Sequence, residues 1–358
     1  MNDEKVLMKG NDAIAEAAIR AGCGAYFGYP ITPQNELIAY MARHMLERGR
    51  VFIQAESEVA AINMVFGASC AGARAMTSSS SPGISLKQEG ISYAAGADVP
   101  AVIVNVVRGG PGLGSIAPSQ ADYFQSTRGG GHGDYYCIVL APKSVQECAD
   151  LTYEAFDLAD RYRMPVLVLA DGMIGQMMEG VVLPPEKAPQ DLPPRGWTAG
   201  NMAARPEKTA RHITSIDLVP ENLEAKTRAR FARYDQIKKD ETRFEAGGTE
   251  GAALNLVAYG TCARVCLGAQ KLAAQEGIKL GLFRPITLWP FPGEALAALG
   301  STGAPILTVE MSLGQLVEDV RLSVLGSAPV HLLGHCGGVI PTEEEVFAKA
   351  KAILEGHK

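Results

Sequence analysis

The 358-residue chain is poor in aromatic residues, at 6% with two tryptophans, and has no run near the roughly 18 apolar residues that a membrane helix needs. A membrane-spanning helix is therefore not expected. Its first residues, MNDEKVLMKG, lack an apolar signal core, which reads as a cytoplasmic protein. Seven cysteines, at 23, 70, 137, 148, 262, 266 and 336, form an odd set with no C-x-x-C. Such spacing offers neither a disulfide framework nor the clustered four-thiolate run of an iron–sulfur site, and the thiols read as small, reduced core residues. Basic residues number 33 against 39 acidic ones, a net charge of −6, and they are scattered. The basic stripe that a phosphate backbone requires is missing, so nucleic acid is not an expected partner.

What remains is ample material for a core, with 47% hydrophobic and 20% charged residues, over a length that suggests two domains. Residues 10–180 alternate helical patterns with short apolar runs, the signature of a parallel α/β sheet. Asn11 and Asp12 are placed to cap a helix that ends at Gly22. Strands are expected at AYFG, VFIQ, AMTSSS, AVIVNVV, CIVLA and VLVLA, with helices over about 34–48, 57–71, 84–96 and 144–162 between them. The continuously apolar strands imply cover on both sheet faces. After Val182 the segment LPPEKAPQDLPPRG carries five prolines and sustains neither ladder nor helix. The reading is a first domain over 1–182, a linker over 183–250 and a second α/β domain over 251–358. The linker holds a charge-dense helix near 220–245, with Leu223, Phe231, Tyr234 and Ile237 as a docking stripe. In the second domain LNLVAY, LGLFRPITLWPFP, ILTVE and VHLLG are the strand segments.

Ligands of open parallel sheets sit beyond the carboxyl ends of the strands. Four successive strands deliver polar residues there: Thr32 within Tyr29-Pro30-Ile31-Thr32-Pro33, Glu58 after Ala55-Glu56-Ser57, the serines 78–81 before Pro82-Gly83, and Arg108 before Gly109-Gly110-Pro111-Gly112-Leu113-Gly114. Each has a plain structural explanation. Thr32 suits a helix cap before Pro33, Glu58 complements a helix dipole, Arg108 suits a surface ion pair, and the serines suit a turn. Convergence of all four on one edge points instead to a ligand site.

Other motifs fall short. The Gly110–Ser115 segment fails G-x-G-x-x-G at its sixth position, and neither G-x-x-x-x-G-K-[ST] nor G-x-S-x-G occurs. Asp171-Gly172 with Asn201 echoes a diphosphate-and-metal motif, but Ala170 stands where a glycine is needed, and the echo reads as chance. His132, in Arg128-Gly129-Gly130-Gly131-His132-Gly133-Asp134, has no ligand partner in sequence and reads as part of a mobile loop.

The segments GYPITPQNE (28–36), QAESEVAAINMVFGASCAGARAMTSSSSPG (54–83), NVVRGGPGLGS (105–115) and GGGHGDY (129–135) resemble the alpha subunit of 2-oxoacid:ferredoxin oxidoreductases, and most of all the branched-chain type acting on 3-methyl-2-oxobutanoate. The resemblance spans nearly the whole chain. It implies an α/β architecture with a pyrimidine domain of the thiamin-diphosphate-binding fold, helices on both faces of a parallel sheet, followed by a transketolase C-terminal-like α/β domain. It implies thiamin diphosphate shared with a beta subunit that holds the diphosphate and Mg²⁺, with [4Fe-4S] clusters on partner subunits, gamma and delta ferredoxin-like chains, and ferredoxin and coenzyme A as reactants. By the same resemblance Glu58 is the pyrimidine-activating carboxylate, with Glu56 as the alternative. Arg108 and Thr32 hold the substrate carboxylate or ketone, and Pro30 and Ile31 form a backbone wall against the pyrimidine. No metal ligand is assigned to this chain. Gly112-Leu113-Gly114-Ser115-Ile116-Ala117 carries fewer hydroxyls than the stretch typical of 2-oxoglutarate enzymes, which favours an apolar substrate tail. A 2-oxoglutarate enzyme and an oxoacid dehydrogenase beta-type chain feeding lipoamide are the alternatives.

Overall fold

The computed structural model describes residues 4–200, 207 and 209–356; Asn201 of the diphosphate-motif echo lies outside them. In chain order the elements are β1 (Val6–Lys9), α1 (Gly10–Arg20), β2 (Ala25–Gly28), α2 (Asn35–Glu47), β3 (Val51–Gln54), α3 (Glu58–Ala71), β4 (Ala75–Ser79), α4 (Ser81–Gly96), β5 (Ala101–Val107), α5 (Tyr123–Thr127), β6 (Ile138–Leu140), α6 (Val145–Tyr162), β7 (Pro165–Asp171), α7 (Gly172–Gln176) and β8 (Met178–Val181). There follow α8 (Pro220–Glu241), β9 (Phe244–Gly247), β10 (Leu254–Val257), α9 (Gly260–Gln275), β11 (Leu280–Pro285), β12 (Thr287–Trp289), α10 (Gly293–Gly300), β13 (Ile306–Glu310), α11 (Leu316–Val324), β14 (Val330–Gly334) and α12 (Glu343–Gly356).

A seven-stranded sheet has the order β12-β6-β7-β5-β4-β2-β3, and a five-stranded one the order β14-β13-β10-β11-β9. The first is parallel apart from β12, which runs antiparallel to β6. Its central strands β5 and β7 are buried along their whole length, as their unbroken apolar runs require when helices cover both faces. Helix α1 packs on α2 and α6, while α3 and α4 pack on each other. The protein is thus α/β with parallel-rich sheets.

Several local expectations are corrected. Helix α1 starts at Gly10 without a side-chain cap, so Asn11 is interior. Its buried amide instead donates to Pro33 O at 2.8 Å, which ties α1 to the loop after β2. Helix α2 starts at Asn35 behind Gln34, so Thr32 caps nothing. The segment LGLFRPITLWPFP is two strands in two sheets. Pro285 lacks the N–H to continue the ladder, and the chain crosses at Ile286 so that β12 pairs with β6. The short antiparallel pair of β1 and β8 was not anticipated. Of the cysteines, 23, 137, 148, 262 and 266 are buried, but Cys70 is half-buried and Cys336 is exposed.

Helix α8 sets Tyr234 and Ile237 in the core while Leu223 stays exposed. Tyr234 lies edge-on to Trp289 and Tyr136, whose rings stack at 4.9 Å. The two sheets are clasped at several points. The side chain of Gln120 donates to Tyr259 O at 2.9 Å and accepts from Met311 N at 3.0 Å. Fully buried Arg284 donates to both carboxylate oxygens of Glu147 at 2.7 and 2.6 Å. Among the described residues no helix is long and apolar enough to cross a membrane.

Candidate active site

Strand β2 lies between β3 and β4 in the first sheet. The chain leaves β2 through α2 toward β3 and leaves β4 through α4 toward β5, so connections diverge at β2 and β4 and open a crevice at their carboxyl ends. The four loops singled out in the sequence follow four strands that are neighbours in the order β3-β2-β4-β5. They converge on this edge.

Arg108 follows directly on β5 and is 8% exposed. Its Nη1 donates to Thr32 O at 2.9 Å and its Nη2 to Leu113 O at 3.1 Å, while Nε is buried without a partner. Ser81 fastens the start of α4 to this residue, since its hydroxyl accepts from Arg108 N at 3.1 Å and lies 3.2 Å from Arg108 O. The loop of residues 109–117 is closed by Gly109 N to Ala117 O at 2.9 Å and Ser115 N to Gly109 O at 2.8 Å. Gly114, at φ +56°, has space for no side chain, because a Cβ would lie 1.9 Å from Gly109 O. The loop leaves Leu113 and Ile116 83% and 66% exposed beside the arginine. Thr32 and Ile31 are half-buried, Pro30 is exposed, and the Thr32 hydroxyl accepts from Asn35 Nδ2 at 3.1 Å.

Glu58 is the first residue of α3, behind Ser57, which caps the helix by accepting from Ala60 N at 3.2 Å. Its carboxyl is held by packing: a Cβ on Gly83 would lie 2.1 Å from Ser79 Oγ and 2.7 Å from Glu58 Oε1. Glu58 is buried and Glu56 exposed, so the two carboxylates occupy different environments. Beside Glu58 the chain leaves polar atoms sealed from solvent and unpaired, Ser79 Oγ and Lys87 Nζ, and the hydroxyl of the next residue in the chain, Ser80, is unpaired as well. Burial lowers the Lys87 pKa to about 8, against the opposing pull of Glu58. Nearby, burial raises the Asp122 pKa, opposed by hydrogen bonds to Asn105 and Ser81. Unpaired buried hydroxyls beside a buried carboxyl fit a polar heteroaromatic ring, to which they can donate or from which they can accept.

Lys87 and the Asn105–Asp122 pair were missed in the sequence. The available signal was Gly83, Lys87 and Gly90 at i, i+4 and i+7, one face of α4. The decoy motifs resolve into architecture. Asp171 caps α7 through Met173 N and Ile174 N and accepts from Thr261 N and Oγ1 at 2.9 and 2.6 Å. The 129–134 loop lies against α4, where a Cβ on Gly130 or Gly131 would meet Gln88 within 2.8 Å, so these glycines serve close approach. Exposed His132 borders a cavity of about 810 Å³ between that loop and α8; Glu58, Thr32 and Arg108 do not line it.

A family model described as "Pyruvate flavodoxin/ferredoxin oxidoreductase, thiamine diP-bdg" matches residues 16–245, and one described as "Pyruvate:ferredoxin oxidoreductase core domain II" matches residues 252–346. The chain belongs to the 2-oxoacid:ferredoxin oxidoreductase family. Among curated relatives of this oxidoreductase subunit, the ketoisovalerate oxidoreductase subunit VorB of Methanothermobacter marburgensis is 48% identical, with 97% of each chain covered. The 2-oxoglutarate synthase subunit KorA of Methanothermobacter thermautotrophicus is 37% identical over 96% of this chain and 97% of its own. Among solved structures, the 2-oxoglutarate:ferredoxin oxidoreductase from Magnetococcus marinus with 2-oxoglutarate, coenzyme A and succinyl-CoA bound superposes with a TM-score of 0.85 at 28% identity. The match covers 98% of this chain and 66% of that one. The family's thiamin-diphosphate-binding region thus contains the Glu58 crevice.

Proposed function

We infer that this chain is the pyrimidine-holding subunit of a heteromeric enzyme that oxidatively decarboxylates a branched-chain 2-oxoacid with coenzyme A, giving acyl-CoA, CO₂ and reduced ferredoxin. The carrying observation is the buried carboxyl of Glu58, packed against Gly83 at the sheet edge among unpaired polar atoms. Thiamin diphosphate, when bound, supplies the electron sink for decarboxylation. Glu58 holds the ring nitrogen opposite the amino group and moves the proton there. The walls are the backbone of Pro30 and Ile31. Arg108 offers the donor fork that suits a planar carboxylate, and Thr32 adds its hydroxyl.

In this reading the pyrimidine domain spans 1–182, the linker 183–250 and the transketolase C-terminal-like domain 251–358. A beta subunit holds the diphosphate and Mg²⁺, while it and gamma and delta subunits carry [4Fe-4S] clusters toward ferredoxin in the cytoplasm. Relatives named as subunits support this division. The branched tail is supported by exposed Leu113 and Ile116 beside Arg108 and by the relative named for ketoisovalerate. The test is co-purification of the complex and turnover of Glu58→Gln with a low-potential dye. Wild-type turnover in that variant removes Glu58 from the reaction.

A further inference from the structure

We propose that Lys87 is a positioning residue for the reaction: its buried ammonium, set between α3 and α4, is the counter-charge to the Glu58 carboxylate that faces the aminopyrimidine. The inference deepens the reading above and rests on it. Position is fixed by the residues one turn to either side on α4. A Cβ on Gly83 would touch Glu58, and a Cβ on Gly90 would lie 2.5 Å from Ile62 Cγ2. Glu58 and Ile62 are themselves one turn apart on α3. Lys87 therefore enters the α3–α4 interface between those contacts, with its side chain fully buried and its Nζ without a hydrogen-bond partner.

The charged groups on the segments packed against α4 are mostly engaged or solvated: Asp122 accepts from Asn105 Nδ2 at 2.8 Å, Arg108 donates to Thr32 O and Leu113 O, and His132 and Asp134 of the 129–134 loop are exposed. Glu58 is the single charged residue of α3 and acts electrostatically on Lys87. Strand β5 carries none. On β7, which also packs on α4, Asp171 is taken up by Thr261, Met173 and Ile174. A desolvated ammonium without hydrogen bonds is costly, and an apolar residue of similar length would pack there at lower cost. The one gain in view is electrostatic. A cation behind a carboxylate favours its charged form, which is the form able to accept from a ring N–H.

The test uses the assembled complex as wild type, Lys87→Met, Lys87→Gln, Lys87→Arg and Glu58→Gln. Titration calorimetry in buffers of different ionisation enthalpy counts the protons exchanged on thiamin diphosphate binding at each pH, and the acid limb of kcat is recorded in parallel. The Met and Gln variants are expected to bind the cofactor with the acid midpoint of both profiles moved upward by about one pH unit. The Arg variant, which keeps the charge, stays with wild type. Wild-type midpoints in either neutral variant that binds the cofactor overturn the role of Lys87. If Glu58→Gln leaves the proton exchange unchanged, the reading of Glu58 falls, and this inference falls with it.

Discussion

The guanidinium of Arg108 reaches past the end of β4 and donates at 2.9 Å to the backbone carbonyl of Thr32. Two strands that are not neighbours are thereby joined at the loops expected to grip one end of a substrate. The same fork holds Leu113 O at 3.1 Å, so one side chain fixes the positions of a hydroxyl-bearing loop and an apolar one. Nε remains unpaired.

Arg108→Ala is expected to raise KM for every 2-oxoacid by on the order of 10-fold to 100-fold, the value of charge-assisted hydrogen bonds. Arg108→Lys recovers only part, because an ammonium does not reproduce the planar fork. Steady-state kinetics on the complex read both, and unchanged KM values reassign the residue.

For Glu58→Gln, thiamin diphosphate binding persists while turnover falls by about 10²-fold or more, the typical contribution of a positioned proton carrier. Binding is followed by calorimetry and turnover by dye reduction. A loss confined to cofactor affinity, with turnover intact at saturation, contradicts a role in proton movement.

Gly83→Ala puts a methyl group 2.1 Å from Ser79 Oγ and 2.7 Å from Glu58 Oε1. The Glu58 side chain has to move, so activity drops alongside Glu58→Gln although the charge is retained. Wild-type activity in this variant would show that the carboxyl position is not restrictive.

A substrate panel should favour 3-methyl-2-oxobutanoate over 2-oxoglutarate in kcat/KM, with about 10-fold lost for each tail methyl group removed. Leu113→Ser and Ile116→Ser narrow the preference. Equal values for both acids in the wild type reject the apolar-tail assignment.

Lys87 also predicts a pH dependence of stability. Its pKa is lowered from 10.5 to about 8 by burial, so between those values the unfolded chain binds more protons and stability rises with pH. The penalty is complete below about pH 8 and amounts to a few kcal/mol. Denaturant unfolding of the full chain should find Lys87→Met more stable than wild type at neutral pH, with the difference shrinking in alkali. A pH-independent difference would argue against a buried ammonium.

The edge constellation was legible because it depends on short apolar strands with turns behind them, and right-handed crossovers then place β3, β2, β4 and β5 side by side. Lys87 was not legible in this way. A lysine in a helix reads as a solvated residue until α3 is laid over it, and only the flanking glycines hint at close packing. Strand β12 escaped notice because three residues carry no periodicity of their own, and its pairing with β6 is decided by tertiary structure. Cys336 sits beside Gly337 and Gly338, where the chain touches the Arg108 loop; its sequence gives no sign that it is exposed.

The crossing of β12 between sheets limits how this protein can be divided or recombined. A fragment ending at residue 250 lacks Thr287–Trp289, and β6 then presents bare amides and carbonyls to any passing strand. It also strands Glu147 without Arg284. Chimaeras between relatives should therefore inherit both sheets from one parent, and a graft of the carboxyl-terminal part alone is expected to yield aggregates.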